Sequence, residues 1–183
     1  MKVVALVGSL RKDSLNKQLI RTIEQRYSDL FEIEIADIGA LPHYNEDDEH
    51  SPTEIVQHFK SQIEEADAVI ICTPEFNWSM PGVLKNALDW LSRVDRPLVG
   101  KAVLPMGVSQ GGLGTIRAQL HLREVLASMG IQANVISPAG NEVLIGGGGR
   151  KFEDGKLKHE VTLEFLDEVM KRFVDFVKKE SEQ

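Results

Sequence analysis

Val3-Val4-Ala5-Leu6-Val7 and Ala68-Val69-Ile70-Ile71-Cys72 are apolar at every position. A strand with one wet face alternates between polar and apolar residues. Runs that do not alternate are covered on both faces, which implies a parallel sheet held between two layers of helices. Each run passes directly into a polar loop and then a helical pattern. Gly8 to Asn16 follows the first, ahead of a helix with Leu15, Leu19, Ile20, Ile23 and Tyr27 on one face. Thr73-Pro74-Glu75-Phe76-Asn77-Trp78-Ser79 follows the second, and Pro81-Gly82 then opens a helix that runs to Arg93.

The remaining elements repeat this order. Phe31 to Ile35 reads as a short strand, and the acidic stretch Glu46 to Glu49 falls in a long loop after it. Ser51-Pro52-Thr53-Glu54 has the form of a capping box with Pro at the first helical position, opening a helix that buries Ile55, Phe59 and Ile63. Lys101 to Val108 reads as a fourth strand, with a bulge or strand end expected at Pro105 because proline lacks the amide donor. Ser109-Gln110-Gly111-Gly112-Leu113-Gly114 leads into a helix with Ile116, Leu120, Val125 and Met129 as its apolar positions and Gly130 as its stop. Gln132 to Ile136 is the fifth strand. A Gly-rich connection spans 137–158, and an amphipathic helix with Val161, Phe165, Leu166, Met170, Phe173 and Val177 closes the chain.

Five alternations of strand and helix without a linker predict one α/β domain over residues 1–183. The expected architecture is flavodoxin-like: a doubly wound five-stranded parallel sheet in the order 2-1-3-4-5, with helices on both faces. Strands one and three then meet at the switch point of the sheet. The loops after Val7 and Cys72 share a crevice there, with the loop after Val108 beside them.

Composition narrows the partners. The chain has 21 Lys and Arg against 28 Asp and Glu, a net charge of -7, and its basic residues are scattered, which argues against a nucleic-acid partner. Cys72, the single cysteine, falls at the end of a central strand and reads as a buried, inert thiol in a reducing compartment. The apolar start is too short for a signal peptide, and no run reaches the ~20 residues of a membrane span. A cytoplasmic protein without a membrane partner is therefore expected. His43, His50, His58, His121 and His159 show no ligand spacing, so no metal site is expected, and the acidic run around His50 reads as a solvated loop.

The three loops differ in chemistry. Ser9, Arg11, Ser14 and Asn16 surround a helix start, where free N–H groups, hydroxyls and a guanidinium suit a phosphate monoester. The same residues also read as an ordinary N-cap at Asp13 or Ser14 with a solvated Arg11. No Gly-Lys-Ser/Thr follows, which disfavours triphosphate hydrolysis. In the second loop Pro74 and Pro81 stiffen the chain while Phe76 and Trp78 offer cover for a flat ligand, or else serve as surface or interface hydrophobes. Glu75 has the chemistry of a catalytic carboxylate but no visible acid–base partner. Gly111-Gly112 allows backbone amides to approach a ligand closely. Gly112-Leu113-Gly114 lacks the last glycine of a dinucleotide fingerprint and lies in the wrong crossover. Gly146 to Gly149 before Arg150 and Lys151 reads as a flexible turn, with a phosphate contact as its other reading.

Taken together, Gly8-Ser9-x-Arg11-x-x-Ser14-x-Asn16, Thr73 to Asn77 running on through Pro81-Gly82-Val83-Leu84-Lys85-Asn86-Ala87-Leu88-Asp89-Trp90, and Arg117-Ala118-Gln119 with His121-Leu122-Arg123 resemble the NADPH-dependent FMN reductase family. The likeness covers roughly residues 2–136. It implies an FMN-dependent oxidoreductase that passes two electrons from NADPH or NADH through the flavin to a quinone, azo dye, metal oxyanion or free flavin by a ping-pong mechanism. The alternative is a flavodoxin-like electron carrier that holds FMN without direct NAD(P)H activity. Carried onto this chain, the resemblance gives Ser9, Arg11, Ser14 and Asn16 to the FMN phosphate. Pro74, Glu75, Phe76 and Asn77 go to the ring and ribityl chain, and Ser109, Gln110, Gly111 and Gly112 to the pyrimidine edge. No side chain is assigned as catalytic, because the chemistry belongs to flavin N5. The family also implies a homodimer or homotetramer, with Trp78, Trp90 and Arg117 as interface candidates. Two positions depart from the family: Phe76 stands where tyrosine is usual, and Leu120 near a second such tyrosine. Both bear on the choice of acceptor rather than on FMN.

Overall fold

The computed structural model describes residues 1–181. In chain order the main elements are β1 (Lys2–Val7), α1 (Leu15–Arg26), β2 (Glu32–Ala36), α2 (Glu54–Glu65), β3 (Ala68–Cys72), α3 (Gly82–Leu91), β4 (Ala102–Val108), α4 (Ile116–Leu126) and β5 (Asn134–Val135). After β5 come β6 (Val143–Ile145), a short hairpin of β7 (Phe152–Glu153) and β8 (Lys156–Leu157), and α5 (Glu160–Ser181). The sheet is parallel with the order β2-β1-β3-β4-β5, as the alternation predicts. β6 adds a sixth strand, pairing with β4 beyond the end of β5. The Gly-rich connection is thus partly sheet.

The unbroken apolar strands are explained by the two cores. Val3, Ala5 and Val7 of β1 point to one side, against Leu19, Ile20 and Ile23 of α1 and Met170 and Phe173 of α5. Val4 and Leu6 point to the other, against Val56, Phe59 and Ile63 of α2 and Leu84 and Leu88 of α3. β3 divides in the same way, so neither strand has a polar position to spare.

Four local expectations need correction. Pro105 neither bulges nor ends β4. Its nitrogen points away from β3, toward the gap where β5 pairing stops at Val103 and β6 pairing begins at Met106, so no ladder bond is lost. α2 begins at Glu54 with Thr53 as a cap that makes no side-chain bond, and this phase buries Val56 while leaving Ile55 half exposed. α4 ends at Leu126, ahead of Gly130, and buries Ala118, Gln119, Leu122 and Leu126, so Leu120 and Met129 face outward. In α5, Val161 is exposed while Val169 and Val174 complete the buried stripe.

The long loop after β2 is latched to α3. Trp90 Nε1 and Asn86 Nδ2 both donate to the Pro42 carbonyl at 2.9 Å, and Tyr44 sits edge-on to Trp90 with ring centres 5.1 Å apart. Trp90 is therefore core rather than interface. The acidic stretch forms a short 3-10 turn, and Glu49 accepts from both Tyr44 and Arg93, which hold its carboxyl below the usual range.

At the other face, Asp167 of α5 accepts two bonds from Arg26 at 2.7 Å and one from Tyr27 at 2.8 Å, joining α5 to the end of α1. The Arg26 bonds depress the Asp167 carboxyl pKa despite partial burial. A carboxyl depressed in the folded state stabilises above its unfolded pKa and loses that contribution as pH falls through its folded value. Asp167→Asn is expected to lower Tm near neutral pH, with the gap from wild type closing below about pH 4. Thermal melts across pH check this, and a gap independent of pH would contradict it.

Candidate functional site

The three loops converge past the carboxyl ends of β1, β3 and β4. Gly8 N–H donates to the Cys72 carbonyl at 2.9 Å, extending the β1–β3 ladder to the lip of the crevice. The first loop then turns into α1, where Ser14 Oγ accepts from Lys17 N–H as the N-cap. The N–H groups of Leu15 and Asn16 in the first turn have no acceptor among the described residues. They supply a positively polarised helix end.

Asn16 also joins the loops. Its buried carboxamide accepts from Val108 N–H and donates to the Val108 carbonyl, both at 3.0 Å, and its oxygen receives the Cys72 Sγ at 3.3 Å. The side chain is thereby committed to the tips of β3 and β4, and its backbone N–H is what remains for a ligand. Cys72 is fully buried, and desolvation pushes its thiol pKa well up, so it stays protonated.

In the second loop, Phe76 and Ser79 exchange backbone bonds across a tight turn with Asn77 at φ 50° and Trp78 at φ 65°. This is the primed hairpin geometry, tolerated by Asn and strained for Trp by about 1–2 kcal/mol. Contacts with α4 hold it: the Arg117 guanidinium lies 4.4 Å from the Trp78 ring centre, and Ser79 Oγ lies 2.7 Å from His121 Nδ1. Glu75 is the cap that α4 otherwise lacks. Thr115 adopts φ 70° and makes no cap bond, while Glu75 Oε2 accepts from the N–H groups of Arg117 at 3.0 Å and Ala118 at 3.3 Å. A carboxylate held by a helix start is poorly placed for proton transfer.

The third loop is fastened from behind by the glycine-rich segment. Ser109 N–H donates to Ile145, Gly147 N–H to Gly111 and Gly148 N–H to Ser109, each at 2.9 Å. The amides of Gln110, Gly111 and Gly112 have no backbone acceptor.

A cleft of about 310 Å³ lies between the loops, at the lower end of ordinary ligand pockets. Ser9, Arg11, Ser14, Asn16, Pro74, Glu75, Phe76, Ser109 and Gln110 line it, together with Leu15 and Val108. The last two were not among the expected residues. Their signal was their place at a helix start and a strand end, where apolar residues read as core. Asn77, at the hairpin tip, and Gly111 and Gly112, just past Gln110, lie outside the lining. Arg11 is the one cation of the lining, and its one carboxylate, Glu75, is answered by α4. The cleft thus offers anion donors at one end, flat cover in the middle and free amides beyond the other end. Among the described residues no three His, Cys, Asp or Glu side chains gather to hold a metal.

Sheet order and crevice define a flavodoxin-like fold with a cleft at the switch point. The family model for NADPH-dependent FMN reductases matches residues 1–146. A 2-hydroxy-1,4-benzoquinone reductase of a Burkholderia species is 47% identical over 133 residues, 72% of this chain and 73% of its own. An NADH-dependent flavin reductase subunit 2 of Lactobacillus johnsonii is 37% identical, with 98% of each chain covered. Among solved structures, FerB, a flavoenzyme NAD(P)H:(acceptor) oxidoreductase of Paracoccus denitrificans, superposes with a TM-score of 0.89 at 35% identity, covering 98% of both chains. This chain belongs to the NADPH-dependent FMN reductase family and is an oxidoreductase.

The Asn16 clasp carries a stability consequence. Asn16→Ala leaves the N–H and carbonyl of Val108 without partners, and about 2–3 kcal/mol of unfolding free energy should be lost. Urea denaturation measures it. A loss below ~0.5 kcal/mol, the range of ordinary surface changes, would show that the clasp is dispensable.

Proposed function

We propose that the cleft binds FMN and that the protein uses it to carry two electrons from NADPH or NADH to a quinone. The observation that carries this reading is the distribution of unused donors: the Leu15 and Asn16 amides beside Arg11 at one end, and the Gln110 amide at the other, with those of Gly111 and Gly112 just beyond the lining. That donor set fits a flavin mononucleotide, with an anionic phosphate at one end and polar pyrimidine atoms at the other. Ser9, Arg11 and the start of α1 take the phosphate, while Ser14 serves mainly to cap the helix. Pro74 and Phe76 flank the ring, and Asn77 at the hairpin tip adds a polar contact at its rim. Bound FMN supplies hydride acceptance at N5 and delivery of two electrons to an acceptor.

The protein positions and polarises. Amide donors at Gly111 and Gly112 favour negative charge on the pyrimidine edge, as an oxyanion hole does. No side chain needs to move a proton, which agrees with a Glu75 committed to α4 and a protonated Cys72. Donor and acceptor use the cleft in turn, giving ping-pong kinetics. A quinone is favoured by the Burkholderia relative's named substrate, with azo dyes, metal oxyanions and free flavin as further acceptors. Trp78 at 73% exposure and Leu120 at 52%, on adjoining elements beside the cleft, support a second copy covering this face in a dimer or tetramer. A monomer by sedimentation would remove the second copy.

The test has two parts. FMN-loaded protein mixed anaerobically with NADPH should lose its flavin absorbance without acceptor and regain it on adding a quinone, and steady-state plots should be parallel. Absorbance unchanged by NADPH would instead favour a carrier served by a separate reductase. Arg11→Ala should weaken FMN binding by about tenfold, the value of one charge-assisted contact of ~1.4 kcal/mol, while apo-protein Tm stays within a degree or two.

A further inference from the structure

Across the Ser109–Gly112 loop from the flavin cleft lies a second cavity of about 600 Å³. Gln110 lines both. Arg150 and Lys151 are the cations of its wall, His159 adds an imidazole, and no carboxylate lines it. None of the eleven ion pairs among the described residues uses Arg150, Lys151 or His159. In a chain of net charge -7, a concave site with two uncompensated cations and an imidazole is a local field for an anion.

These groups are held in place relative to the cleft. Arg150 ends a 3-10 turn, Gly148–Arg150, whose preceding glycines pack backbone to backbone on the third loop. A Cβ at Gly146 would collide with the carbonyls of Gly111 and Gly112, so only glycine allows this approach. Gly149 N–H donates to Gln110 Oε1 at 3.0 Å. The cations therefore ride on the back of the loop that separates the two cavities, with Gly112 lining this second cavity and Ser109 the cleft, and far along the chain from the Arg11 end that takes the FMN phosphate.

We propose that Arg150, Lys151 and His159 hold the phosphates of the nicotinamide dinucleotide donor. The inference rests on the proposed function. A donor that stacks its nicotinamide on the flavin carries its pyrophosphate and adenosine several bonds away, so its charge must be met beside the cleft rather than in it. Arginine suits this role through its planar pair of donors. The cavity between β1 and β2, lined by Lys17 and Arg21, is a poorer match because Asp37 lines it as well.

NADP⁺ and NAD⁺, which cannot reduce flavin, are the probes. Calorimetric titration of the FMN-loaded protein should show Arg150→Glu/Lys151→Glu weakening NADP⁺ binding at least tenfold, with Arg150→Gln/Lys151→Gln in between and FMN affinity and Tm unchanged. A loss confined to NADP⁺ places the 2′-phosphate here, and an equal loss for both places the pyrophosphate; each supports the proposal. No detectable binding to the wild type, unchanged affinity in both double variants, or a loss seen only with Lys17→Glu/Arg21→Glu would overturn it. Failure of the functional reading looks different. The wild type would then bind NADP⁺ through these residues yet not oxidise NADPH.

Discussion

One buried carboxamide holds the site together. Asn16 satisfies both backbone groups of Val108 and meets Cys72, so the start of α1 is locked to the ends of β3 and β4. A free helix start draws anions wherever it lies, but here it is fixed beside two other loops. Desolvation makes the clasp directional: an unpaired Val108 amide at this depth is costly, so few other arrangements of the three tips are open to the chain. The site's geometry thus follows from core hydrogen bonding rather than from the loops themselves.

Around the clasp, each polar group with a structural partner is withdrawn from chemistry. Glu75 caps α4, Ser14 caps α1 and Cys72 is shielded by burial. What remains exposed to a ligand is backbone N–H, the Ser9 hydroxyl, one guanidinium and flat apolar cover. Such a set binds and polarises but transfers no protons, which is what an enzyme needs when its cofactor carries the reaction. The strained hairpin at Asn77 and Trp78 is consistent with this, since its cost is met by stacking on Arg117 rather than by any catalytic group.

Much of this was legible in the sequence because parallel sheets write themselves as unbroken apolar runs, and the loops after those runs must lie at one edge. Sheet order and the meeting of the three loops in one cleft follow from that, whereas Ser109 and Gln110 among the nine expected lining residues came from the family resemblance. What failed was phase. Leu120 keeps helical spacing yet faces outward, because α4 has apolar residues on both faces and spacing cannot rank them, and Met129 falls beyond the helix end. Ile55 lost to Val56 for the same reason. The tolerance of Pro105 depends on a break in the neighbouring strand pairing, visible only in three dimensions. The clasp made by the Asn16 side chain is not legible, since a polar residue at a helix start gives no sign that Val108, distant in sequence, needs it. Gly146 to Gly149 looked flexible, although backbone bonds pin it to the third loop.

In the proposed complex, free amides at the α1 start and on the third loop hold a single flavin mononucleotide from opposite ends. Amide chemical shifts of the apo protein, followed by NMR as FMN is added, test it most directly. The account predicts the largest shifts at Leu15 and Asn16 and at Gly111 and Gly112, moving together with one affinity. Shifts confined to Lys17, Arg21 and Gly39, beside β2, with those four amides unmoved, would contradict it.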